Sequence, residues 1–181
     1  MERKSSPRGL WMFAIALLVI ALDQYTKYLV RTCEHLPLNT SWNPIPWLDR
    51  IVTLTHLRNS GVAFGFLPGI GTSVIAVAIV VVFIIVFYYR QLAKASWLLH
   101  IAFGLQLGGA LGNMIDRIID DGHVTDFIDF RVWPVFNVAD SGIVVGTILL
   151  AFYIFFLDRP SEEADTEDMG SRIDAKGLKS S

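Results

Sequence analysis

The chain has 181 residues, of which 53% are hydrophobic and only 18% are charged, and its formal net charge is −2 at pH 7. The mean hydropathy of +0.49 is concentrated in a few long apolar runs, which is typical of an integral membrane protein. The single cysteine, Cys33, has no partner for an internal disulfide, and the lack of a CxxC motif argues against a membrane thiol oxidoreductase.

Four apolar runs predict membrane-spanning helices, because roughly 20 apolar residues in a helix cross a bilayer core of about 30 Å. The run at 70–89 contains no charged residue and is the clearest of the four. The predicted spans are about 10–29, 70–89, 95–115 and 138–157, with outer loops at 31–68 and 116–137. A cleaved signal peptide is the alternative for the first run. No small-x-small cleavage site follows that run, so we expect the helix to be retained.

Basic residues indicate how the spans are oriented. They flank the N-terminal end of the first span, occupy the short connection after the second span, and recur in the C-terminal tail. The positive-inside rule therefore predicts that both termini are cytoplasmic. We expect an all-α membrane protein with four transmembrane helices, forming a single domain at 1–158. The polar segment 159–181 has the composition of a disordered cytoplasmic tail.

The first outer loop contains a short strand signal. Val52 and Leu54 alternate with Thr53 and Thr55, and a turn is predicted at 59–61. Polar backbone is not stable in bare hydrocarbon, so we expect a small strand-containing extracytoplasmic cradle between the first two helices, resting on the membrane surface or against the bundle.

Small residues recur at helical spacing in the third span. Gly104, Gly108 and Gly112 form one stripe along the helix, and Gly142 and Gly146 repeat the pattern in the fourth span. Such stripes allow helices to approach closely, so we expect these glycines to be packing positions.

Polar residues collect where the first and third spans end on the outer side. Asn113, Asp116 and Arg117 share one face of the third helix, and Asp23 and Lys27 are four residues apart on the first. The simpler interpretation of both sets is structural, with ion pairs at helix ends and Lys27 extending to the headgroups.

Asp140 lies in the predicted first turn of the fourth helix, where a negative charge is favourable as a cap. Asn137 precedes it by one turn, and an aspartate-rich loop connects it to the third helix. A carboxylate at the membrane boundary is also a candidate for function. The spacing does not choose a partner for Asp140. The aspartates within reach are Asp116, Asp120, Asp121, Asp126 and Asp129.

Two neighbouring carboxylates would favour acid–base chemistry, because one holds a proton while the other stays ionised. Such a pair can activate a water as general base and protonate a leaving amine as general acid. The four histidines show no metal-ligand spacing, and no serine lies in a nucleophile elbow. We therefore expect neither a metal nor another cofactor.

The motif segments resemble those of the lipoprotein signal peptidases, the type II signal peptidases of bacteria. The matching segments are, in chain order, LDQYTK, RNSGVAFGF, GGALGNMIDR, VTDFIDF and FNVADS, and they extend from about 22 to 143. The resemblance implies a metal-free aspartyl endopeptidase of the bacterial inner membrane, with its active site near the extracytoplasmic face. It would cleave prolipoproteins just before a diacylglyceryl-modified cysteine.

Residue roles follow from the same resemblance, motif by motif. Asp126 and Asp140 would be the catalytic pair. Asn59, Asn113 and Arg117 would position the substrate peptide. The remaining implied positions are supports: Asn137 beside the pair, Asp23 and Lys27 at the edge of the site, and Asp116 as the partner of an arginine.

The resemblance also implies the partners. These are lipid-modified prolipoproteins and membrane phospholipid, with inhibition by the cyclic peptide globomycin; we expect a monomer and no nucleic acid. Two other functions compete with this interpretation: a small proton-coupled transporter or channel subunit, in which membrane carboxylates relay protons, and a purely structural four-helix scaffold.

Overall fold

The structure, a computed structural model, describes residues 9–61, 71–92 and 96–157. The predicted tail at 159–181 and both chain termini lie outside this part. The chain divides into two compact units after Ala151, and every contact discussed below lies in the first unit.

Four helices correspond to the four predicted spans. They are α1 (Gly9–Thr32), α2 (Gly71–Leu92), α3 (Trp97–Ile119) and α4 (Val138–Phe152), the last followed by a π-helical turn at Tyr153–Leu157. Within the described residues, three helical segments are long and apolar enough to cross a membrane, namely Leu10–Thr32, Trp97–Ile119 and Val138–Leu157. The described apolar part of α2 is Ile79–Tyr89, so four spans and cytoplasmic termini stay predictions.

The prediction that the outer loops begin at 31 and 116 was wrong, because α1 and α3 both continue for about one more turn. Arg31 Nη2 lies 2.9 Å from Oδ1 of the fully buried Asp116, which joins the two helix ends. A charge that is paired inside the bundle need not leave the helix to reach water. The helical conformation therefore extends through both charged positions.

The predicted strand-containing cradle is a three-stranded antiparallel sheet. Its strands are β1 (Ser41–Trp42), β2 (Thr53–Asn59) and β3 (Val124–Asp129), in the order β1-β2-β3. The strand predicted in the first outer loop is confirmed as β2, and the predicted turn follows it. Its buried residues include Thr53 and Thr55, whose hydroxyls donate to carboxylates.

Strand β3 contradicts the prediction that 116–137 is a loop throughout. It pairs with β2 from Thr53 opposite Asp129 to Asn59 opposite Val124, with an irregularity between Leu54 and Leu57. Four of the five residues at 124–128 are β-branched or aromatic, which is a strand signal that the sequence interpretation did not use. The cradle thus takes strands from both outer loops, and β3 carries one of the candidate catalytic aspartates.

A small apolar cluster holds the sheet against the helix ends. Val30 of α1, Leu36 and Phe127 of β3 are buried together, and Val138 at the start of α4 packs against them. This cluster places β3 beside the first turn of α4.

The glycine stripe is confirmed as a packing feature. A Cβ on Gly104 would come within 2.8 Å of the Ile15 Cβ, and one on Gly108 within 2.7 Å of the Ala16 carbonyl oxygen. These distances are too short for a side chain, so α1 and α3 pack with their backbones in close approach.

Candidate active site

The first turn of α4 is held by two reciprocal capping bonds. The Asn137 Oδ1 accepts the N–H of Asp140 at 2.9 Å, and the Asp140 Oδ2 accepts the N–H of Asn137 at 3.2 Å. The exchange satisfies two backbone donors, one of them at the otherwise unpaired start of the helix. Asp140 is therefore a helix cap, as its position predicted. The cap uses only its Oδ2, so its Oδ1 is free to bind another group.

Asn137 also joins the two candidate catalytic aspartates. Its Nδ2 donates to the Asp126 Oδ1 at 2.7 Å while its Oδ1 accepts from the Asp140 backbone. Asn137 is completely buried. Asn137 therefore links β3 to α4: its side-chain N–H donates to the Asp126 carboxylate and its backbone N–H donates to the Asp140 carboxylate.

Two further asparagines complete the set of donors. Asn59 at the end of β2 donates to the Asp126 Oδ2 at 2.8 Å, and Asn113 of α3 donates to the Asp140 Oδ1 at 2.7 Å. With the two contacts from Asn137, each of the four carboxylate oxygens accepts one N–H. Every carboxylate oxygen can accept a second bond. Each carboxylate is thus held in place while it can still bind a proton or a water.

The surroundings of Asp126 favour its protonated form. Burial, followed by the charge of Asp140, raises the pKa of Asp126 to about 6, although hydrogen bonds from Asn59 and Asn137 act in the opposite direction. Asp126 is only 2% exposed, whereas Asp140 is half-buried and Asn59 is exposed. The site therefore has a buried floor and an opening towards the exposed Asn59.

Three of the other candidate aspartates, Asp116, Asp120 and Asp129, have partners away from Asp140. Asp120 accepts from Arg58 at 2.9 Å, and Asp129 accepts from the Thr55 hydroxyl at 2.8 Å. Asp116 is bound within the helix bundle. Among the described aspartates of this loop, Asp126 is the one joined to Asp140 through a shared amide.

A buried ion cluster lies beside the pair. The Lys27 Nζ is 2.9 Å from the Asp23 Oδ2 and 3.1 Å from the Asp116 Oδ2, and all three side chains are fully buried. The expectation that Lys27 extends to the headgroups was wrong, because two carboxylates inside the bundle bind its ammonium. Arg31 and Gln24 complete the cluster by binding Asp116.

Sequence reasoning missed Arg31, although a signal for it was present. Asp23, Lys27 and Arg31 follow one another at intervals of four residues, so they share one face of α1. Arg31 also donates to the Thr125 hydroxyl at 2.8 Å, next to Asp126 on β3. It therefore joins the end of α1 to the strand that carries the aspartate.

Arg117 lies against the same site without an ion pair among the described residues. Its Nη1 donates to the Asn113 carbonyl oxygen at 3.2 Å, and its Nε is buried with no hydrogen-bond partner among those residues. A buried donor without a partner costs free energy unless a ligand accepts from it.

The structure brings the predicted site residues into one cluster. Two are the carboxylates, three are asparagines that donate to them, and four surround these groups: Asp126, Asp140, Asn59, Asn113, Asn137, Asp23, Lys27, Asp116 and Arg117. The described residues include no group of three or more His, Cys, Asp or Glu side chains placed to hold a metal ion. Two carboxylates with fixed donors are an arrangement that can activate water.

Comparison with known proteins identifies similar chains. A family model described as signal peptidase (SPase) II matches residues 15–156. The lipoprotein signal peptidase of Halothermothrix orenii is 42% identical over 145 residues, which are 80% of this chain and 94% of that protein. The lipoprotein signal peptidase of Moorella thermoacetica is 43% identical over 140 residues, 77% of this chain and 89% of its own.

A solved structure is also similar. It is a bacterial membrane enzyme determined by the in meso method at 1.9 Å resolution, and it superposes with a TM-score of 0.72 at 33% identity. The match covers 81% of this chain and 93% of that structure. The same fold therefore occurs in an enzyme of bacterial membranes.

Proposed function

Because this chain belongs to the signal peptidase II family, we propose that it removes the signal peptide from prolipoproteins that carry a diacylglyceryl-modified cysteine. The bond cleaved is the amide just before that cysteine. The observation that carries the proposal is that Asn137 donates to both aspartates, through its side-chain N–H to the Asp126 carboxylate and through its backbone N–H to the Asp140 carboxylate.

In the proposed mechanism, the two aspartates share one proton and act on a water. The ionised member takes a proton from the water, whose oxygen attacks the scissile carbonyl carbon. The protonated member donates a hydrogen bond to the carbonyl oxygen as negative charge develops there. Collapse of the tetrahedral intermediate breaks the C–N bond, and a proton passes to the amine of the lipidated cysteine. No acyl-enzyme forms.

The asparagines serve the mechanism by holding both carboxylates still. The side-chain amides of Asn59, Asn113 and Asn137 are already bonded to them in the free protein. Little reorganisation is then needed when charge moves during the reaction. We place Arg117 in substrate binding, where its Nε, which has no partner among the described residues, would donate to a backbone carbonyl of the signal peptide.

A site at the membrane boundary suits such a substrate. A prolipoprotein is held in the inner membrane by its signal peptide and by its acyl chains, so the bond to be cut lies near the extracytoplasmic face of that membrane. The polar cluster lies where α1, α3 and α4 meet the cradle. We further propose that the protein is a monomer of the bacterial inner membrane, contacts phospholipid, and is inhibited by globomycin.

The test is a gel-shift cleavage assay with purified protein in detergent and a metal chelator present throughout. It compares a diacylglyceryl-modified prolipoprotein with its unmodified form. We expect cleavage of the modified form alone, and loss of that cleavage in both Asp126→Asn and Asp140→Asn. Asp120→Asn is the matched control, because its carboxylate pairs with Arg58 on the surface, and we expect it to cleave normally.

Two outcomes would contradict the proposal. Retained turnover in either dyad variant would remove that aspartate from the mechanism. No cleavage by folded wild-type protein, together with proton flux in proteoliposomes that depends on Asp140, would favour the proton-coupled transporter instead.

A further inference from the structure

Lys27 of α1 uses all of its hydrogen-bonding capacity inside the protein. Its ammonium lies 2.9 Å from the Asp23 Oδ2, 3.1 Å from the Asp116 Oδ2 and 2.9 Å from the Asn113 Oδ1. An ammonium has three N–H donors and no acceptor. Since Lys27 is fully buried, these three oxygens are its partners, and the Asn113 Oδ1 is the one that carries no formal charge.

Two donors fix which way the Asn113 amide faces: the Lys27 ammonium at 2.9 Å and the neutral Asn137 Nδ2 at 3.1 Å, both on the Asn113 Oδ1. The cation is the shorter of the two contacts and the charged one. With its oxygen against the ammonium, the amide directs its Nδ2 to the Asp140 Oδ1 at 2.7 Å. If the amide were turned over, its NH₂ group would face the cation and its oxygen would face the carboxylate. Both contacts would then be repulsive, so the position of the cation allows one orientation only.

The two carboxylates bound to Lys27 hold backbone next to the catalytic pair. The Asp23 Oδ1 accepts the N–H of Ala139 at 2.9 Å, and the Asp116 Oδ2 accepts the N–H of Thr125 at 3.0 Å. Ala139 directly precedes Asp140, and Thr125 directly precedes Asp126. The Lys27 ammonium therefore binds the acceptor groups of three residues, Asn113, Asp23 and Asp116, each of which makes a hydrogen bond that fixes one of the two aspartates or its neighbour.

We propose that Lys27 is a positioning residue for the dyad, which orients the Asn113 amide so that its N–H donates to Asp140. Among the described residues, Lys27 makes no hydrogen bond or ion pair with either aspartate of the pair, so its positioning effect on Asp140 acts through Asn113. The catalytic consequence rests on the proposed function, whereas the orientation of the amide does not.

The test uses variants that keep the buried charge balanced. Replacing Lys27 alone would leave two buried carboxylates with Arg31 as their one cationic partner, so Asp23→Asn accompanies each change. Asp23→Asn/Lys27→Met removes the ammonium from the Asn113 Oδ1 and leaves that oxygen with the neutral donor of Asn137 at 3.1 Å. Asp23→Asn/Lys27→Gln is equally neutral and similar in size, but it retains an N–H that can donate to the Asn113 oxygen.

The first measurement is the side-chain NH₂ signal of Asn113 in protein labelled with ¹⁵N-asparagine. The wild-type chain has five asparagines and each double variant has six, so the spectra are simple, and the Asn113→Ala change assigns the signal. We expect the signal to move in the Met variant and to return towards its wild-type position in the Gln variant. An unmoved signal in the Met variant would overturn the proposal whether or not the protein cleaves prolipoprotein.

The second measurement separates kcat from KM. We expect kcat to fall about tenfold or more in the Met variant, because a displaced amide misplaces Asp140, and KM to stay nearly constant. The Gln variant should recover most of the loss. Equal kcat in the Met and Gln variants at equal Tm would contradict a role for the donated hydrogen bond. If the Met variant does not insert into the membrane, the Gln variant is compared with Asp23→Asn alone, which keeps Lys27. The Gln variant should then have the same kcat and the same Asn113 signal as Asp23→Asn.

Gln24→Leu is the matched control for the ion cluster. Gln24 donates to Asp23, Asp116 and the Gly112 carbonyl oxygen and makes no contact with Asn113. We expect a lower Tm with kcat and the Asn113 signal unchanged. If Gln24→Leu lost as much kcat as the Met variant, the loss would come from general disruption of the ion cluster and not from the Asn113 amide, which would contradict the proposal.

Discussion

Asn137 donates through Nδ2 to the Asp126 Oδ1 at 2.7 Å and accepts the Asp140 N–H through its own Oδ1. Because both ends of the amide are committed, the side chain has a single orientation. The residue that caps α4 is thus also the residue that holds the two carboxylates together.

The two roles of Asn137 can be separated with two variants. Asn137→Ala should lose the cap, at about 1 kcal/mol of stability, together with the link to Asp126. Asn137→Ser keeps a capping hydroxyl that is too short to reach Asp126. We expect both variants to lose about 100-fold in kcat, since the carboxylates lose their common anchor. Thermal unfolding should show a smaller fall in Tm for the serine variant. A serine variant with wild-type kcat would show that the cap alone is required.

The titration of Asp126 gives a prediction with a defined sign. Burial, with a smaller effect of the Asp140 charge, raises its pKa from 3.8 to about 6. Asp140→Asn should therefore lower this pKa, and Asn59→Ala should raise it by removing a bond that favours the ionised form. The measurement is a pH titration of the Asp126 carboxyl by ¹³C NMR. Shifts in the same direction for both variants would contradict the contacts described above.

The same pKa predicts a pH dependence of stability. The folded protein holds the proton of Asp126 more tightly than the unfolded chain does. The contribution of this proton to the free energy of unfolding is therefore complete below pH 3.8 and is lost as the pH rises through about 6. Compared with Asp126→Asn, the wild type should lose stability across this range. A difference in Tm between the two proteins that is constant from pH 4 to pH 7 would argue against the raised pKa.

Arg117 should affect substrate binding more than stability. Among the described residues it makes one hydrogen bond, to the Asn113 carbonyl oxygen, and its Nε has no partner. We expect Arg117→Met to raise KM about tenfold with little change in Tm, because the lost contact is one that only the substrate completes. Arg117→Lys is the control that keeps the charge, and it should also raise KM because it lacks the Nε donor. A fall in kcat at constant KM would place Arg117 in the chemical step.

Two glycines of α3 that pack against α1 should differ in how their substitution affects kcat. A Cβ on Gly112 would lie 2.7 Å from the Asp23 Oδ2, the oxygen bound by Lys27, whereas one on Gly104 would meet Ile15. Alanine at either position should cost about 1–3 kcal/mol through overpacking. Only Gly112→Ala should also lower kcat of the folded protein, since it displaces Asp23 from the cluster. Equal kcat in both variants, measured below their Tm, would contradict this link.

Local patterns in the sequence were enough to predict the helices, the strand β2 and the importance of the outer polar residues. Apolar runs and i, i+4 spacing report on residues that are neighbours in the chain, and the side chains of Asp23 and Lys27 met as the spacing predicted. The motifs indicated the family, which the comparisons confirm. The strand β3 was missed although its β-branched and aromatic residues favour a strand, because such a short signal does not show which other strand it pairs with.

The sequence by itself thus determined a helical membrane protein with carboxylates gathered at one boundary, because hydrophobicity and charge act locally along the chain. The tertiary structure decided which carboxylate faces Asp140. Five aspartates were within reach, and pairing of β3 with β2 brought Asp126 to the start of α4. It also decided that Lys27 points into the bundle. Its partners Asn113 and Asp116 lie more than 80 residues away in sequence, and only the close packing of α1 against α3 brings them within hydrogen-bonding distance.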